Sequence, residues 1–80
     1  MYYVYLLQSD SAVGQRYVGF TADLKARIAT HNRGGSPHTG KYLPWRLVTY
    51  LSFSDKARAL DFERYLKSHS GKAFAAKRLW

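Results

Sequence analysis

Five side chains in this sequence could do chemistry together: Tyr5, Tyr17, Arg27, His31 and Glu63. Glu63 is the only glutamate. On a helix expected over 55–69, Ala59, Phe62 and Leu66 form an apolar stripe, and Glu63 falls inside it, about 40° round the wheel from Ala59. A carboxylate on a core-facing stripe is costly unless it is paired or bound to a cation. Two partners remain open. Lys67 follows at i+4, the spacing of a helical surface pair. Alternatively, one carboxylate completed by oxygen and water ligands suits Mg²⁺ or Mn²⁺ and does not suit a structural zinc site.

Arg27 and His31 lie one turn apart on a helix expected over 22–32, at the edge of the buried side marked by Leu24 and Ile28. Thr21 is the expected N-cap, with Asp23 in the first turn. Asn32, Arg33, Gly34 and Gly35 supply the stop. Separately, Arg27 and His31 read as ordinary solvated or core residues. Their shared face, turned toward a sheet, makes them candidates.

That sheet must bring the two tyrosines together. Residues 2–8 read as a strand rich in Tyr, Val and Leu. Apolar residues occupy both parities, so both faces are expected to be covered. Residues 9–15 read as a hairpin loop and 16–20 as the return strand. With Gln8 facing Arg16, opposed residue numbers sum to 24, and Tyr5 faces Gly19 while Leu7 faces Tyr17. Any even sum puts Tyr5 and Tyr17 on one face; a one-residue slip separates them. Residues 33–44 read as a long, mobile, cationic loop, and 46–53 as a third strand. Ser54 and Asp55 start the next helix. Gly71 is expected to break it, with a short final helix over 72–79 capped by Ser70.

Thirteen lysines and arginines stand against five acids, a formal charge of +8. Such an imbalance implies a polyanionic partner, most often nucleic acid. Aromatic residues interleaved among the charges favour that over a plain solvated surface. No apolar run approaches the ~20 residues that span a membrane, and no signal peptide is evident, so no membrane partner is expected. Cysteine is absent, which excludes disulfides and thiolate sites and fits a cytoplasmic location. One domain over 1–80 is expected, burying roughly 60–65% of the unfolded chain's surface.

Tyr3-Val4-Tyr5, followed after a spacer by Tyr17-Val18-Gly19, resembles the paired motif of the GIY-YIG nuclease superfamily. Arg27, His31-Asn32-Arg33-Gly34-Gly35, Thr39, Pro44 and Glu63-Arg64-Tyr65-Leu66-Lys67 are similar to its small stand-alone bacterial members. The resemblance implies an α+β fold: a small three-stranded antiparallel sheet flanked by helices. It implies metal-dependent hydrolysis of nucleic-acid phosphodiesters. Tyr5 then looks like the general base, supported by His31. Tyr17 orients phosphate or water, and Gly19 leaves space beside the tyrosines. Arg27 holds the scissile phosphate and Glu63 a single Mg²⁺ or Mn²⁺. Arg33, Lys41 and Lys67 are further expected substrate contacts.

The expected activity is a divalent-metal-dependent endonuclease acting on DNA rather than RNA, directed at DNA structure or damage in repair or processing. The alternative is a non-catalytic or partner-dependent nucleic-acid-binding module. With no appended domain to select substrate, a protein partner is also expected to contribute. An adaptor role would need an exposed apolar patch, for which Trp45 and Trp80 are the candidates.

Overall fold

The computed structural model describes residues 1–80. The elements follow as β1 (Tyr2–Ser9), β2 (Arg16–Thr21), α1 (Leu24–Asn32), a 3₁₀ turn (Gly40–Tyr42), β3 (Trp45–Phe53), α2 (Lys56–Leu66) and α3 (His69–Arg78). The strands form one antiparallel sheet in the order β2-β1-β3. β1 is therefore central, and Val4, Tyr5, Leu6 and Leu7 on its two faces are all fully buried. Tyr5 faces Gly19 and Leu7 faces Tyr17, so the even pairing sum holds and both tyrosines share a face.

Alternation along β1 splits the core in two. Val4 and Leu6 join Ala59, Leu66 and Ala75, so α2 and α3 cover that side. Tyr5 and Leu7 join Trp45, with Tyr17, Leu24, Ile28, Tyr42 and Leu43 packed round them, so α1 and the segment before β3 cover the other. Asn32 ties these parts together. Its Nδ2 donates to the Trp45 carbonyl at 3.1 Å and its Oδ1 accepts from the Trp45 amide at 2.6 Å.

Several boundaries differ from the sequence expectation, each for a local reason. Asp23, not Thr21, caps α1: its carboxylate accepts from the Ala26 amide. Thr21 instead accepts from the Asp23 amide, setting the turn before the helix. β3 starts at Trp45, one residue early, held by the Asn32 clamp. α2 ends at Leu66 rather than 69, and Ser68, not Ser70, caps α3 through the Gly71 amide. Gly71 breaks nothing; it lies inside α3, where a Cβ would overlap the Tyr65 carbonyl. It is the point of close approach between the two helices. The 33–44 segment is no open loop either. Gly34 adopts a positive φ of 76°, the chain folds back through the 3₁₀ turn, and Thr39 is buried. Trp45 is also buried, which removes it from any exposed docking patch.

Candidate active site

The site begins with a missing side chain. Gly19 sits opposite Tyr5 in the ladder. A Cβ there would overlap Tyr5 Cζ and Oη and would come within 2.8 Å of Tyr17 Cε2. Only glycine permits this approach. The Tyr5 ring thus crosses the backbone of β2, and its hydroxyl reaches α1. Tyr17, two residues before Gly19 and on the same face, packs beside it with centroids 6.1 Å apart.

The Tyr5 hydroxyl lies 2.8 Å from His31 Nε2. On the far side of the imidazole, Nδ1 lies 2.8 Å from Thr39 Oγ1. The Trp45 indole N–H fixes Thr39 by donating to its carbonyl at 2.8 Å. Tyr5, His31 and Thr39 are 0%, 2% and 1% exposed, so this chain of polar groups runs through the core. Tyr17 meets His31 edge-on with centroids 4.9 Å apart.

Burial sets the protonation states. It lowers the His31 pKa below its ordinary 6.5, and the Arg27 charge lowers it further. The imidazole is therefore neutral near pH 7, with one donor and one acceptor nitrogen. Two tautomers satisfy both nitrogens: Nδ1–H donates to Thr39 while Nε2 accepts from the Tyr5 hydroxyl, or Thr39 donates to Nδ1 while Nε2–H donates to Tyr5. Burial also pushes the Tyr5 phenol well above its ordinary value. Tyr17 adds to the rise, and the Arg27 charge offsets part of it. In the protein alone, loss of water outweighs the Arg27 charge. Tyr5 is a neutral phenol whose hydroxyl is hydrogen-bonded to His31 Nε2.

Arg27 is exposed on α1, one turn before His31, and its charge acts on both Tyr5 and His31. Tyr5, Tyr17, Gly19, Arg27 and His31 are therefore brought together. Glu63 is not hydrogen-bonded to this cluster. It lies on α2, the helix on the opposite face of the sheet, with its side chain 20% exposed and Oε2 accepting from Lys67 Nζ at 2.6 Å. Lys67 and Tyr17 line one groove at the β2 edge, which connects the pair to the tyrosine side. Arg33 and Lys41 are exposed; Arg33 turns back to Thr30 Oγ1 at 3.3 Å, and neither hydrogen-bonds the cluster. No group of three or more His, Cys, Asp or Glu side chains gathers to hold a metal. A cation at Glu63 would find one carboxylate and would have to take its other ligands from water and substrate, a ligand set that Mg²⁺ accepts.

Sequence reasoning assigned Thr39 no role. Between the end of α1 at Asn32 and Thr39 the chain forms neither helix nor strand, so no sequence period relates Thr39 to His31 and only the folding of that segment makes the contact.

Residues 1–78 match the family model described as the GIY-YIG catalytic domain. The chain belongs to the GIY-YIG family. This GIY-YIG chain is 48% identical over 67 residues to a UPF0213 protein of Lacticaseibacillus paracasei, covering 82% of the chain and 73% of that protein. It is 40% identical over 65 residues to a structure-specific endonuclease subunit SLX1 homolog of Giardia intestinalis, covering 76% of the chain but only 18% of that protein. The NMR structure of a UPF0213 protein of Bacillus halodurans superposes with a TM-score of 0.57 at 33% identity, covering 95% of this chain and 82% of that one. The three-stranded antiparallel sheet with its three helices is thus the architecture of a small GIY-YIG domain.

Proposed function

We propose that this domain is a divalent-metal-dependent endonuclease that hydrolyses phosphodiester bonds of DNA, acting on structured or damaged DNA in repair or processing. The observation that carries the reading is the buried line Tyr5–His31–Thr39, with both bonds at 2.8 Å and a neutral imidazole in the middle. In the tautomer with the proton on Nδ1, Tyr5 donates to Nε2, and a phenol that can pass its proton on in this way can take a proton from water without becoming a free phenolate. Tyr5 is 0% exposed in the free domain, so this route requires substrate binding to uncover its hydroxyl; as water then attacks phosphorus, its proton passes to Tyr5 Oη and the Tyr5 proton passes to His31 Nε2. Thr39 holds the imidazole so that Nε2 stays the acceptor. Arg27 binds the scissile phosphate, and its fixed charge favours the charge that builds there. Tyr17 orients the phosphate or the water.

Glu63 would hold the metal, in exchange for its pairing with Lys67. A bound Mg²⁺ or Mn²⁺ supplies charge neutralisation at the phosphate. The net charge of +8 supports nucleic acid as substrate. Protein partners and a cytoplasmic setting belong to the same proposal. The Glu63–Lys67 pairing also favours a second reading, a module that binds nucleic acid without cutting it.

One experiment separates them. Purified protein and the Glu63→Ala variant are incubated with a panel of labelled DNA and RNA forms, with Mg²⁺ or Mn²⁺. Metal-dependent cleavage by the wild type, lost in the variant while binding persists, is the expected result. Undiminished cleavage by Glu63→Ala refutes the metal assignment, and binding without cleavage by the wild type establishes the second reading.

A further inference from the structure

Tyr17 is shared between the cluster above and a groove of about 440 Å³ beside β2. Leu66 and Trp80 give the groove apolar walls, and Arg16, Lys67 and Lys72 give it three cations. No acidic side chain lines it. The backbone that carries the indole is held in place. The Trp80 amide donates to the Ala75 carbonyl at 2.9 Å, and the Leu79 carbonyl before it accepts from Thr49 Oγ1 at 2.8 Å. The Arg16 guanidinium lies 4.7 Å from the centre of the Trp80 ring while its Nε donates to Gln8 Oε1 at 3.1 Å.

An apolar slot rimmed only by cations suits a flat, uncharged ring carried between anions. Resting on the nuclease reading, we infer that this groove receives one unpaired nucleobase of the substrate, which takes the place of the Arg16 guanidinium over the Trp80 ring, while Arg16, so displaced, holds the flanking phosphates together with Lys67 and Lys72. Base–aromatic stacking tolerates any base, and the cations follow the backbone. A paired base cannot enter, so the nucleotide beside the cleaved bond must be single-stranded, mismatched or otherwise displaced from its stack. A lone anion would use the cations but gain nothing from the apolar walls. An acidic protein segment would compete with both kinds of strand named below.

The test compares a short labelled DNA strand with a strand of equal length and charge whose bases have all been removed, with binding followed by anisotropy in EDTA. The wild type is expected to prefer the base-bearing strand by about 5- to 150-fold, the range of one stacked base, with quenching of indole fluorescence. Ala76 lines the groove from an exposed position on α3, so Ala76→Phe fills the slot without entering the core and is expected to abolish the preference. Lys72→Ala is expected to weaken both strands alike. Equal affinity of the wild type for the two strands, or an unchanged preference in folded Ala76→Phe, overturns the inference. Parallel assays with Mg²⁺ keep the two readings apart. Cleavage with no base preference removes the slot and keeps the nuclease; base-dependent binding with no cleavage does the reverse.

Discussion

Thr39→Val tests the proton route most directly. Valine matches threonine in shape but cannot accept the His31 Nδ1–H. Thr39 and His31 are 1% and 2% exposed, so no water replaces the lost partner. Leaving a buried donor unpaired costs about 1–3 kcal/mol. At 4–8 °C per kcal/mol for a domain of this size, Tm falls by roughly 4–24 °C. The imidazole can escape by moving its proton to Nε2, but that nitrogen then points a hydrogen at the Tyr5 hydroxyl and can accept nothing. General-base assistance is typically worth 10²–10⁴-fold, so kcat is expected to fall by about 10² or more. KM should change little, because Thr39 touches no substrate. Thr39→Ser keeps the hydroxyl and should restore the rate, with a stability loss of about 0.8 kcal/mol for the missing methyl. Single-turnover cleavage with Mg²⁺, beside ¹⁵N NMR of the His31 tautomer, measures both effects. If Thr39→Val moves the proton to Nε2 and still cleaves as fast as the wild type, the route through His31 is wrong.

Tyr5→Phe should remove most turnover while circular dichroism stays native; greater damage from Tyr17→Phe would mean that the two roles are exchanged. Gly19→Ala places a methyl against the Tyr5 ring and should cost about 1–3 kcal/mol by overpacking, with loss of cleavage; full activity would show that the Tyr5 tip need not lie over β2. The competent His31 is neutral and its pKa lies below 6.5, so cleavage should hold through pH 6.5 and fall only where the imidazole protonates. The unfolded chain takes up that proton first, so the stability due to the neutral imidazole is complete above about pH 6.5 and declines as pH falls toward the depressed value. Arg27→Ala should move the His31 titration to higher pH by NMR; a downward shift contradicts the electrostatic argument.

How much of this was legible from sequence depended on whether a residue's placement is periodic. The shared face of Tyr5 and Tyr17 follows from strand alternation once the hairpin pairing is chosen, and the observed register agrees. Arg27 and His31 follow from one helical turn. Glu63 on the α2 stripe was legible as well, and so was its pairing with Lys67. Thr39 was not, because Gly34, the 3₁₀ turn and the Trp45 indole determine where it points. The α2–α3 junction failed for a related reason. Gly71 reads as a helix breaker in one dimension, but its lack of a side chain serves a contact with Tyr65 in three.

The buried Thr39 also bears on how such a domain can be diversified. The span from His31 to Thr39 is a measured strap: its ends meet inside the core through the imidazole, and Asn32 and Trp45 fasten it on either side. Adding or deleting a residue in that strap would pull the hydroxyl off the ring and disable proton transfer even if the sheet stayed intact. The β1–β2 connection bears no such tether to the histidine. Its tip at Val13 is fully exposed, and Gly14 there has nothing within 4 Å of the place a side chain would occupy. New recognition segments would be better grafted at that tip, leaving the strap at its present length.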